Sequence, residues 1–384
     1  MSANDNTNAS LSSANFGYAD AMKWLRLASA LLLALSLGCL TQLSGCAGPS
    51  YYAQAIAGHL HLMRSRVPIS DLLADPGTDP ELARQLRQTL LMRQFAGEKL
   101  FLPTRDNYSR VTITGKDAVT WNVVAAPEFS IEPRLWCFPV AGCVAYRGYF
   151  DRQRAEDFAG RMAKKSFDVM VSPAVAYSTL GWFDDPLLDT MLKYSEASLA
   201  GIIFHELAHE RLYVSGDTNF NEAFAGFVEQ TGVRLWLSDS GRSAELGQWE
   251  ARKRASMQFN GLLKETREQL RAVYSSGQPE ETMRQEKKHI FESLRARYRV
   301  LVADDWYGTD YFASWMDGDL NNAYLALMDS YEGGICAFAA LFRESGENLQ
   351  KFYALAAEKA ALEKKIRQAW LDGACVQIAS DVEL

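Results

Sequence analysis

Residues 196–212 read EASLAGIIFHELAHERL, an apolar run with chemically active side chains set into it. Ala200, Ile203, Leu207 and Ala208 supply the apolar positions of a helix buried against other elements. His205 and His209 stand four apart, so on an α-helix both imidazoles share one face and can reach a single ion. Glu206 sits beside them without being a ligand in this scheme. It can hold the water on the metal, take its proton and pass one to a leaving amine. This HExxH spacing is the signature of zinc peptidases. The chain has only five histidines. Two of them in this register, with a carboxylate between, have reason to be buried if they hold a metal.

The next segment supplies what the pair lacks. Zn²⁺ with two histidines needs a third protein ligand and keeps the fourth position open for water or substrate. After a turn at Gly216-Asp217-Thr218, residues 221–229 read NEAFAGFVE, a second helical stretch. Glu222 is the leading third ligand. Glu229, seven residues further on the same face, is the second choice, better cast as a group that steadies a histidine or a helix. Arg147 and the pair Asp184-Asp185 are candidates to line the cleft. The acidic pair could receive a free α-ammonium, although a helix-start role is the plainer reading.

The N-terminus sets the compartment. Lys23 and Arg26 precede LASALLLALSLGCL at 27–40, then Leu43-Ser44-Gly45-Cys46. A basic edge, a short apolar run and small residues make a secretory signal, and the run falls short of the roughly 20 residues a spanning helix needs. The tetrapeptide resembles the lipobox of bacterial lipoproteins. On that resemblance Cys46 is acylated and tethers the mature chain to a lipid bilayer, and Ala47 points to the outer membrane. Residues 1–45 are then signal and leader, with Met22 an alternative start. Their loss leaves the net charge of −7 unchanged, because Lys23 and Arg26 match Asp5 and Asp20. An acidic chain with no basic cluster gives no reason to expect a nucleic-acid partner. Of the six cysteines, Cys39 leaves with the signal and Cys46 takes the lipid. Four remain in an exported chain, where disulfides are expected. Cys137 with Cys143 around FPVAG, and Cys336 with Cys375 across the C-terminal helices, are the pairings that proximity favours.

Tyr51 to Arg66 and Asp71 to Gly97 read as helical, the second interrupted at Pro76-Gly77. RVTITG (110–115), TWNVVAAP (120–127), CVAYRGYF (143–150) and FDVMVSPAVAYST (167–179) are β-prone runs. A charged helix, Asp151 to Lys165, falls among them, and GWFDDPLL (181–188) reads as a loop. From Leu188 onward nearly everything is helical, with long amphipathic stretches at 248–275 and 280–299. The expected fold is α+β and predominantly helical: a small sheet lies N-terminal to, and packed on, the HExxH helix, as in zincins. The expected divisions are 46–190 for the first helices and sheet, and 191–384 for the metal-binding and C-terminal helices, forming one catalytic unit.

HELAH followed by NEAFA resembles the gluzincin metallopeptidases, notably the zinc aminopeptidases. The lipobox, YYAQAIAGHL, CFPVAGCVAYRGYF, YSTLGWFDDPLL and HELAHERLYVSGDTNFNEAFAGFVE together resemble a bacterial family described as aminopeptidases, over essentially the whole mature chain. The resemblance implies one Zn²⁺ on His205, His209 and Glu222, Glu206 as catalytic base, and peptide or protein substrates in the periplasm. It also implies a tyrosine to steady the oxyanion. Tyr307, Tyr311, Tyr324 and Tyr331 are candidates, Tyr324 and Tyr331 the favoured two because polar residues surround them in otherwise apolar helices. Two departures matter. Residues 210–221 make a shorter connection than gluzincin aminopeptidases use, and the GxMEN element that holds the substrate amine is missing. An envelope endopeptidase, or a non-catalytic lipoprotein scaffold with a vestigial metal site, are the alternatives. The intact Glu206 argues against the scaffold, since a purely structural site has no use for a base.

Overall fold

The computed structural model describes residues 48–138, 142–176, 184–326 and 334–381, with side chains as far as residue 373. Within it, Tyr51–Leu384 forms one compact unit. The architecture is α+β and mostly helical. Cys46, the expected lipid site, lies outside the described residues, as does Tyr331. No described helix is long and apolar enough to cross a membrane.

Three helices come first: α1 (Pro49–Arg64), α2 (Ile69–Ala74) and α3 (Pro80–Glu98), with the two-residue strand β1 (Val67–Pro68) after α1. Asp79 caps α3 by accepting from the Leu82 N–H, and Pro80 fits the first turn, where an N–H is not needed. The strands follow: β2 (Arg110–Thr112), β3 (Thr120–Pro127), β4 (Trp136–Phe138), β5 (Gly142–Val144) and β6 (Tyr146–Tyr149). Helix α4 (Arg152–Ala163), capped by Asp151, leads to β7 (Phe167–Ala174). β4 and β5 pair as an antiparallel hairpin in which Cys137 faces Cys143, and these two form a disulfide.

The main sheet has the order β6-β3-β7, antiparallel throughout. Residues directly opposite in register share a face. Val124 therefore shares its face with Tyr146 and Met170, and Val123 shares the other with Arg147 and Val171. The first face packs on Ala323 and Ala326, and the second on Ala155 and Ala159 of α4. This parity corrects the expectation for Arg147. Its guanidinium lies over the rings of Tyr51 and Phe158, at 4.0 and 4.6 Å from their centroids, on the α1 and α4 side. Arg147 is committed to an aromatic cage instead of a cleft wall.

A second correction concerns 181–188. Residues 181–183 lie outside the described region, but Leu187–Leu188 form a strand, β8, pairing in parallel with β2 through Val111↔Leu187. The order of this sheet is β1-β2-β8. Two buried leucines carry no periodicity, and a parallel partner distant in sequence leaves no local signal.

The helical part begins with α5 (Glu196–Arg211) and α6 (Thr218–Asp239), a hairpin, and continues with α7 (Ser243–Tyr274) and α8 (Glu280–Val300). Short helices α9 (Ala313–Met316) and α10 (Asn322–Leu325) precede α11 (Ile335–Glu344), α12 (Leu349–Ala360) and α13 (Lys364–Asp381). The largest core collects Phe204 of α5, Phe220 and Phe224 of α6, Phe338 of α11 and Phe352 of α12, all fully buried. Each such ring contributes about 1.5–3 kcal/mol relative to exposure. α5 and α6 approach closely because Gly232 has no side chain; a Cβ there would sit 2.8 Å from Phe204 and from Leu100. α7 and α8 build a separate core with Phe259, Leu263, Leu294 and Tyr298.

Candidate metal centre

Ser195 caps α5 by accepting from the Ser198 N–H, and the helix runs unbroken through His205, Glu206 and His209 to Arg211. The chain then turns back into α6, capped by Asp217, whose carboxylate accepts from the Phe220 N–H. Asp217 also pairs with Arg367 of α13, Nε to Oδ2 at 2.8 Å, and both residues are buried. Asn221, equally buried, ties the turn to the helix through the backbone of Val214. These contacts set the first turn of α6, from which Glu222 reaches the face of α5.

His205, His209 and Glu222 converge. Glu222 Oε2 lies 3.3 Å from His205 Nε2, and Oε1 lies 3.7 Å from His209 Nε2. All three donors fit within 4.8 Å of one another. Tetrahedral zinc with bonds of about 2.0–2.1 Å needs ligand atoms about 3.3–3.4 Å apart. Two imidazole nitrogens and a carboxylate at this separation suit a borderline divalent ion. The short connection through 210–221 therefore still brings the three donors together.

The charges around the triad are strongly coupled. Burial alone would lower the His205 pKa, but hydrogen bonds to Glu222 and Glu229 and the nearby Glu206 charge raise it to about 10. His209 is pushed down to about 4, by burial first and then by positive His205. Burial opposes ionisation of Glu222, but its histidine partners prevail and lower its pKa. The same contest at Glu229, with Lys253 joining His205, lowers it to about 2. The carboxylates thus favour positive charge where the imidazoles meet. Glu229 Oε2 lies 3.3 Å from His205 Nδ1, the nitrogen facing away from the triad. That is the steadying place expected for it.

Tyrosines lie around this centre, and the sequence did not single them out. Tyr146 starts the edge strand β6, and the residue is 38% exposed. Protein mass around the phenol, then the charges of Glu222 and Glu206, raise its pKa. Tyr108 is only 3% exposed, and burial, then Glu206, Asp185 and Glu210, hold it firmly protonated. Tyr213, one turn after His209, places its ring 6.2 Å from that imidazole.

Asp185 is buried beside this wall. Its N–H donates to Asn107 Oδ1 at 2.6 Å, and Asn107 Nδ2 donates to Glu210 Oε1 at 2.5 Å. Asp184 is exposed, and its carbonyl accepts from Arg66. No helix starts at this pair; β8 follows it. Tyr324 packs edge-on to Trp315, near Asp319 and Arg295. Tyr311 packs on Trp306, and Tyr307 is almost fully exposed. Cys336 is disulfide-bonded, and its expected partner Cys375 lies beyond the described side chains.

The sequence model of a protein family described as "Putative aminopeptidase" matches residues 50–371. The chain belongs to this family. The match spans the sheets, the hairpin that carries the triad and the helices behind it. Family and triad together make the chain an enzyme of the zinc-metallopeptidase kind. No curated protein and no solved structure matches it.

Proposed function

We propose that this enzyme is a zinc-dependent aminopeptidase that hydrolyses peptide bonds in the periplasm, tethered to the outer membrane through acylated Cys46. The observation that carries the reading is the convergence of His205, His209 and Glu222 from a two-helix hairpin, with Glu206 on the same helix as the two imidazoles. When bound, the ion would supply Lewis acidity toward the scissile carbonyl and acidify a water. His205 and His209 would present Nε2 to it, and Glu222 a carboxylate oxygen.

Glu206 then acts as general base. It takes a proton from the attacking water and returns one to the leaving amine. Tyr146 donates its phenol hydrogen bond to the substrate oxygen as negative charge develops there. Its nearness to both Glu222 and Glu206 supports this role over Tyr324, whose contacts are with Trp315, Asp319 and Arg295. Tyr331 keeps its place as an alternative donor. The secretory signal and the Cys137–Cys143 disulfide support an oxidising compartment outside the cytoplasm.

The specificity test uses paired peptides with free and N-acetylated termini. Cleavage confined to the free series, one residue at a time, is the expected result. Equal cleavage of both series would make the enzyme an endopeptidase. Absence of hydrolysis by zinc-loaded protein across both series would favour a scaffold with a vestigial site.

A further inference from the structure

Glu229 divides its two oxygens between partners on different helices. Oε2 meets His205 Nδ1 at 3.3 Å, and Oε1 accepts from Lys253 Nζ at 2.7 Å. Lys253 belongs to α7, a helix that contributes no ligand to the triad. Its ammonium lies 5.5 Å from the Trp249 ring, one turn earlier on the same helix. On its other side Glu229 packs against the backbone of α5, where a Cβ at Gly201 would stand 3.3 Å from Glu229 Cγ. The carboxylate is thus confined between an ammonium and a helix backbone, with one oxygen left for the imidazole.

Resting on the metallopeptidase reading above, we infer that Lys253 is a positioning residue of the metal centre, holding Glu229 in the orientation that presents His205 Nε2 to the ion. A carboxylate on Nδ1 fixes the tautomer with its hydrogen there, leaving the Nε2 lone pair for the metal. Without Lys253, Oε1 loses its charged partner, and Glu229 is free to turn toward solvent. α7 is thereby made part of the centre, although HExxH and NEAFA lie on α5 and α6.

The test is metal affinity, which needs no known substrate. Full-length protein in detergent is stripped, titrated with Zn²⁺ against a chromogenic chelator, and loaded with Co²⁺ for its visible spectrum. Lys253→Met and Lys253→Gln are each expected to weaken Zn²⁺ binding roughly 10- to 100-fold and to alter the Co²⁺ bands. Lys253→Arg, which restores a cation to Glu229, is expected to recover most of both. Wild-type affinity and an unchanged Co²⁺ spectrum in a folded Met or Gln variant would overturn the proposal. So would an Arg variant as weak as Met, because loss of packing alone would then explain the defect. Wild-type protein that fails to bind one equivalent of Zn²⁺ would remove the site reading itself, and this role with it.

Discussion

Asn221 grips the backbone of Val214, accepting from its N–H at 2.8 Å and donating to its carbonyl at 2.9 Å. Seven residues apart, the two close the turn between the metal-binding helices, and Asn221 immediately precedes Glu222. The position of the Glu222 carboxylate is therefore set by a neighbour outside the triad. Asn221→Ala leaves both backbone groups of Val214 without this partner in a partly exposed turn, at a cost of about 0.5–1.5 kcal/mol. Denaturant unfolding should show that loss, and zinc titration should show weaker binding because Glu222 is less well placed. A variant as stable as wild type with undiminished affinity would refute the link.

Glu206→Gln keeps the shape of the side chain and removes the base. Metal content should remain at one equivalent while turnover falls roughly 10²–10⁴-fold. Undiminished hydrolysis by the metal-loaded variant would take the proton-transfer role from Glu206.

Tyr146→Phe removes one hydroxyl from the cleft edge. If that hydroxyl faces the developing oxyanion, kcat should fall by about 10²–10³ with KM and zinc affinity little changed. Parallel measurement of Tyr324→Phe gives the comparison, and a larger kcat loss there would return the role to Tyr324.

The proton balance of metal binding follows from the two histidines. His205, raised to about 10 in the metal-free protein, is protonated at pH 7, whereas His209, lowered to about 4, is already neutral. Binding at pH 7 should therefore release about one proton, and affinity should fall as pH falls. The sign for stability is the reverse. Protonated His205 stabilises the metal-free fold fully below its unfolded value of about 6.5, and this is lost as pH rises through about 10. The thermal shift given by zinc should therefore grow with pH across that window. Calorimetry in buffers of different ionisation enthalpy counts the protons, and a value near zero would contradict the assignment.

Arg367→Met leaves the Asp217 carboxylate buried without its charged partner at the start of α6. Removing one member of a buried pair typically costs about 3–5 kcal/mol. The double variant Arg367→Met with Asp217→Asn should recover part of this, since Asn still caps a helix. Denaturant midpoints of the single and double variants measure both steps.

Much of the molecule was readable along the chain. The HExxH helix carries its own spacing, and Glu222 follows within one hairpin, so local geometry suffices to bring three ligands together. The strands at 110–112, 120–127, 146–149 and 167–174 likewise fall within the β-prone runs that announced them. Helix and strand periods are short-range properties of the backbone, and side chains a few positions apart are enough to express them.

What could not be read depends on contacts between distant segments. Arg147 and Tyr146 are adjacent, yet one enters an aromatic cage and the other feels the charges of Glu222 and Glu206, because strand register sends neighbours to opposite faces. β8 exists through a partner strand more than seventy positions away. Lys253 looks like one more charge on an amphipathic helix until α7 is laid against Glu229. Residue type and spacing sufficed to find the three donors that converge; their neighbours act across long loops, and only packing determines which side chains meet.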